Sequence, residues 1–128
     1  MSYNIRWEPE GVYWKYTGKV SGEEIIKSTS TIYGDPRFDD ISYKFVDFED
    51  VESIDIKEHE VSLIAFQHKA AALSNNTIKT AILIKPELKS LADMFVSFFE
   101  DSDWVVKVFH EYEDVQKWLE RDAGGTQA

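Results

Sequence analysis

Five residues of this chain combine types that could do chemistry: Asp55, Glu58, His59, Lys85 and His110. A histidine beside a carboxylate can act as a base or bind a metal. All five fall just after expected strands, and in a mostly parallel sheet the strand C-termini share one edge where ligands usually bind. They are therefore the candidate ligand-binding residues. The plainer account is that they are solvated loop charges, and no serine or threonine is paired with them as a nucleophile. Thiol chemistry is excluded because the chain has no cysteine.

The acidic run before His59 does not read as a calcium loop. Counting from Asp47, acids stand at positions one, three, nine and twelve: Asp47, Glu49, Asp55 and Glu58. Position five is Val51, and Glu52 occupies position six, where such a loop requires glycine. No metal site and no cofactor are expected.

The elements that must position these residues are legible from turn chemistry and periodicity. Ile5–Glu8 and Val12–Thr17 flank Glu8-Pro9-Glu10-Gly11 and read as an antiparallel hairpin. Ser21 and Glu24 have capping-box spacing, and Ile25, Ile26, Thr29, Ile32 and Tyr33 form a helical stripe. Gly34 is expected at the helix C′ position, with Asp35-Pro36 preventing continuation. Phe38 is expected to tuck beneath the sheet. Ser42–Phe48 reads as a strand, Glu49–Lys57 as an acidic connection, and Glu58–Leu73 as a second helix. Ala81-Ile82-Leu83-Ile84 is a strand buried on both faces, closed by Pro86. A third helix carries Leu88, Leu91, Ala92, Phe95, Phe98 and Phe99 on one side. Asp101-Ser102-Asp103 ends it, a last strand covers Trp104–Phe109, and Val115, Trp118 and Leu119 mark a short terminal helix. From Arg121 onward the chain reads as a frayed end, with 1–121 as the domain and 122–128 as a flexible tail.

Strands alternating with helices imply a single layered α/β domain. Its sheet is five-stranded and mostly parallel, with an N-terminal antiparallel hairpin and four helices. This order resembles the SpoIIAA-like group, the STAS domains of anti-anti-sigma factors and their uncharacterised bacterial relatives, which are also linked to the SEC14 type. The matching features are Gly11-Val12, Thr17–Glu24 leading into a helix, Ala81–Ile84, and Val106–Phe109 followed by Val115–Leu119. The resemblance implies a non-enzymatic binding or regulatory domain that engages a protein partner or a small apolar, lipid-like ligand. The alternative is a small enzyme using the strand-end carboxylates and histidines. Anti-anti-sigma factors carry a phosphorylatable serine after an aspartate and before a glycine. Here Ser53 follows Glu52 and no glycine follows it, so the phosphoswitch is not implied.

The second helix is apolar on two sides. Leu63, Phe66, Ala70 and Leu73 share one, while Val61, Ile64, Ala65, His68 and Ala72 share nearly the opposite one. A helix covering a sheet needs one apolar face, so the second stripe is expected at a homodimer interface. His68 within it is ordinarily a packed histidine. The tryptophans and the Phe95/Phe98/Phe99 group could line an apolar pocket, but plain core is the simpler use unless a cavity exists.

Composition bounds the partners. Twenty-four acidic against 14 basic residues give a formal charge of −10, a surface that repels nucleic-acid phosphates. Apolar content of 43% and the absence of any run near the roughly 18 residues of a membrane span point to a globular domain without integral membrane association. The N-terminus lacks signal-peptide character, so the cytoplasm is the expected location.

Overall fold

Helix α1 (Gly22–Tyr33) begins with the expected capping box. The Glu24 N–H donates to Ser21 Oγ at 3.2 Å, and the Ser21 N–H donates back to Glu24 Oε1 at 3.2 Å. The other end differs from expectation. Gly34 takes φ −84°, an ordinary right-handed value, so its glycine freedom is unused and Asp35-Pro36 alone stops the helix.

In a computed structural model that describes residues 2–97 and 104–121, the sheet order is β1-β2-β3-β4-β5. Strand β1 (Tyr3–Trp7) pairs antiparallel with β2 (Gly11–Ser21). The remaining pairs, β2 with β3 (Tyr43–Asp55), β3 with β4 (Lys79–Leu83) and β4 with β5 (Val105–Phe109), are parallel. The expected fold class is therefore observed. Each parallel crossover steps one strand in the same direction, so right-handed connections put all the crossover helices on one face. That face carries α1, α2 (Glu58–Ala72) and α3 (Lys89–Ser97), packed on Val12, Trp14, Tyr16, Val46 and Ile82. Helix α4 (Tyr112–Leu119) follows β5 onto the opposite face and covers Tyr43, Phe45, Ala81, Leu83 and Phe109. No helix among the described residues is long and apolar enough to cross a membrane.

Two expectations are corrected here. The segment from Glu49 to Asp55 is not a connection but the continuation of β3, which pairs with Thr17–Ser21 of an equally extended β2. The β2–β3 register shifts twice, each time by one extra residue on β3, and Gly18 at the second shift takes a left-handed φ of 70°. The acidic residues misled because the shifts on β3 break the period of two, leaving the fully buried Val51 and the half-buried Ile54 three residues apart among exposed acids.

Arg121, read as the start of a frayed end, is instead buried. Its guanidinium donates to both oxygens of Glu8, Nε to Oε1 at 2.9 Å and Nη2 to Oε2 at 2.6 Å. Nη1 donates to the Tyr112 hydroxyl at 2.9 Å and to Gln116. Glu120 turns the chain with φ 55°, a left-handed conformation, and so aims Arg121 back at the β1–β2 turn. Phe98, Phe99 and Asp101-Ser102-Asp103 lie outside the described residues, as does the tail 122–128.

Candidate functional site

Between the helix-covered face of the sheet and α1, α2 and α3 lies a cavity of about 80 Å³. Its floor is Trp14, Val46, Thr80 and Ile82 of the three central strands; Ile25 and Thr29 of α1, Ile64 and His68 of α2, and Phe95 of α3 form the walls. Ile54 and Ile56 reach in from the end of β3, while Asp55 between them is exposed on the outer side. The lining is almost wholly apolar; Trp14 Nε1, Thr29 Oγ1 and Thr80 Oγ1 of its lining residues are buried without a hydrogen-bond partner and present almost no surface to the space. The Trp14 indole leans toward the Tyr16 hydroxyl without completing a bond.

Beside the cavity sits a lysine in the core. Lys44 is fully buried on β3, flanked in register by Val12 of β2 and Thr80 of β4. Its ammonium group donates to the Tyr33 hydroxyl at 2.5 Å and lies 2.9 Å from His68 Nδ1. Tyr33 in turn hydrogen-bonds His68 Nδ1. With the lysine donating to the phenol and the phenol to the imidazole, the His68 proton is assigned to Nε2. Aromatic rings close the cage: Lys44 Nζ stands 4.1 Å from the Trp104 ring centre, 5.0 Å from Tyr33 and 5.9 Å from Trp14. Trp104 is fixed by donating its indole N–H to the Asn75 carbonyl at 2.5 Å.

Burial dominates the protonation of this group. It pushes the Lys44 amine well below its ordinary range and the Tyr33 phenol well above. The His68 imidazole is lowered by burial first and by the neighbouring Lys44 charge second. No carboxylate among the described residues pairs with Lys44; the ion pairs there involve Lys15, Lys89 and three arginines. The cluster therefore holds an amine that costs free energy to keep charged and has no carboxylate to offset that cost.

The residues singled out from sequence are distributed differently. Lys85 and His110 follow the adjacent strands β4 and β5 and are half-buried, and the His110 Nδ1–H donates to the Ile84 carbonyl at 2.7 Å. Asp55, Glu58 and His59 are exposed. β3 runs eight residues beyond Asp47, its last residue paired with β4, from 47 to 55. No hydrogen bond or ion pair among the described residues joins Asp55, Glu58 or His59 to Lys85 or His110. The structure thus brings two of the five together and leaves three apart. Among the described residues no histidine–carboxylate cluster able to hold a metal occurs.

The expected interface stripe is corrected too. Val61, Ile64, Ala65 and His68 are buried inside the chain's own core and Ala72 half-buried, because the face of α2 nearest Trp14 must cover the sheet. The surplus apolar side is the other one, where Leu63, Phe66 and Leu73 are 45%, 68% and 90% exposed. Lys44 and Tyr33 escaped the sequence reading of the site. A usable signal existed: Lys44, Val46 and Phe48 alternate onto one side of a strand expected to be covered there, which forces the lysine inward.

This architecture is shared with solved structures. The anti-sigma factor antagonist SpoIIAA in its unphosphorylated form superposes with a TM-score of 0.62 at 10% identity, over 94% of this chain and 99% of that one. The fold is SpoIIAA-like. An uncharacterised protein of the DUF3478 family from Shewanella loihica PV-4, with a SpoIIAA-like fold, gives 0.54 at 18% identity over 91% of both chains. No protein-family model and no curated protein matches the sequence. At these identities the likeness concerns the SpoIIAA-like fold and not the activity.

Proposed function

We propose that this SpoIIAA-like chain is a non-enzymatic binding domain that holds a small, largely apolar ligand between its sheet and α1, α2 and α3. The observation that carries this is the apolar cavity enclosed between the sheet and the three helices. A regulatory role through a protein partner is compatible with it, since a ligand wedged among three helices can alter how they present to a partner. The name anti-sigma factor antagonist belongs to the similar structure, and the phosphoswitch is not carried over because Ser53 lacks its motif. Self-association, in this reading, uses the exposed Leu63, Phe66 and Leu73 ridge of α2. The small-enzyme alternative has weaker support, because Asp55, Glu58 and His59 stand exposed and apart from Lys85 and His110.

Native mass spectrometry of untagged protein, compared with an Ala92→Phe variant that fills the cavity, tests the proposal. The wild type is expected to retain or take up a small molecule that the variant excludes. Equal uptake by both would show that the cavity is not the binding place. The same spectra give the subunit count.

A further inference from the structure

We infer that the outer side of α2 closes a two-fold dimer of this chain, with Leu63, Phe66, Ala70 and Leu73 of one copy packed against the same four residues of the other. This deepens the self-association part of the preceding reading and makes no use of the cavity. Spacing is the first observation. The four residues recur at intervals of three, four and three, the seam pattern of paired helices, and all four are exposed. The inner side of the same helix, with Val61, Ile64, Ala65 and His68, is already buried in the chain's own core. The second seam therefore has no use within one copy.

Charge says what covers it. The chain has 24 acidic residues and a net charge of −10, yet none of those acids lies between Val61 and Pro86. After Glu60, Lys69 is the one lysine, arginine or acid on α2. The flanking helices balance their exposed charges, Glu23 with Lys27 on α1 and Lys89 with Asp93, 2.5 Å apart, on α3. Two copies of so acidic a chain repel through most of their surface, and the outer side of α2 is where they can approach. A two-fold contact needs a patch that complements itself, and an uncharged apolar seam does so. A single lysine on a chain of this charge gives an anionic bilayer little to attract. Size agrees. From their fractional exposures, Leu63, Phe66 and Leu73 leave ~400 Å² of side chain uncovered, as much as the largest patch of an ordinary monomer. Doubled, and with Ser62, Lys69 and Ala70 added, the contact reaches the roughly 1,000 Å² a biological interface should clear. That is the scale of a dimer with a Kd of about micromolar order.

Sedimentation velocity of the untagged full chain, from about 5 to 500 µM and in about 20 and 500 mM NaCl, tests this. The wild type is expected to move from monomer to dimer across that range. The dimer should tighten in the higher salt, because screening relieves the repulsion between two acidic copies. Phe66→Glu should raise the Kd about tenfold or more, and Leu73→Ser should weaken the dimer in the same direction. Both side chains are exposed, so neither change touches the core; should Phe66→Glu not fold, Leu73→Ser carries the test. Val105→Glu on the exposed edge strand β5 and the cavity-filling Ala92→Phe should dimerise like the wild type. The inference is overturned by a wild type that stays monomeric at the top concentration, by species larger than a dimer, or by a dimer that loosens in salt. It is equally overturned if both seam variants associate like the wild type, or if Val105→Glu breaks the dimer. A monomer that still retains a small molecule would remove the dimer and leave the cavity reading standing.

Discussion

Replacing Lys44 by methionine should stabilise the unliganded fold, although it removes a residue with two polar partners and three aromatic ones. Methionine nearly matches lysine in length and shape, so no cavity opens. The Tyr33 hydroxyl and His68 Nδ1 remain bonded to each other, so neither is orphaned. What is lost is the attraction of the ammonium to Trp104 at 4.1 Å, worth about 1 kcal/mol. What is gained is relief from burying an uncompensated charge; swapping even a paired buried ion for a well-packed apolar side chain yields about 1–4 kcal/mol. The net expectation is a gain of about 1–2 kcal/mol at pH 7, or roughly 3–6 °C in Tm for a domain of this size. The pH dependence is the sharper part. The Lys44 amine titrates well below 10.5 in the folded protein, so between its folded value and 10.5 the unfolded chain binds more protons. Stability of the wild type then rises with pH in that window, and the advantage of the variant fades toward pH 10.5. Urea melts at pH 7, 8.5 and 10 measure this while staying above the range where His68 contributes. A loss of more than about 1 kcal/mol at pH 7, or a gain that stays flat across the three pH values, would refute the account of an uncompensated buried cation.

Two further outcomes follow from contacts outside the cavity. Arg121→Ala should cost about 2–3 kcal/mol, below the full cost of breaking a buried pair because Glu8 retains some exposure. Burial raises the Glu8 carboxyl, but hydrogen bonds from Arg121, Tyr43 and Arg6 outweigh it and bring it down to about 2. This clasp therefore contributes fully above pH 4.5 and is lost as pH falls toward 2, so acid unfolding of Arg121→Ala should lack that step. Gly11→Ala would set a Cβ 2.4 Å from the Tyr43 ring, which lies over Gly11 to reach Glu8. It should cost about 1–3 kcal/mol in thermal melts and be largely rescued by Tyr43→Leu, whereas an unaffected Gly11→Ala protein would mean the ring moves freely.

The sequence determined the elements and their order. The capping box at Ser21 and Glu24, the Glu8–Gly11 turn, the apolar run at Ala81–Ile84 and the stop at Asp35-Pro36 are local signals, and local physics is enough to read them. The alternation of strand and helix then fixes right-handed crossovers and, with them, the helix-covered face. Tertiary structure decided which residues meet. Asp55, Glu58 and His59 fall at a strand end as expected, but β3 outruns β4 by the stretch from Asp47 to Asp55, and strand length is set by pairing with β2 and not by composition. The two stripes of α2 were both visible, yet which one faces inward depends on where Trp14 and α1 stand. Arg121 looked like the start of a tail because its partner Glu8 is 113 positions away. Lys44 is the clearest case: a lysine in a strand reads as an edge or solvent-facing residue until the alternation, the sheet order and three covering helices together leave it no route to water.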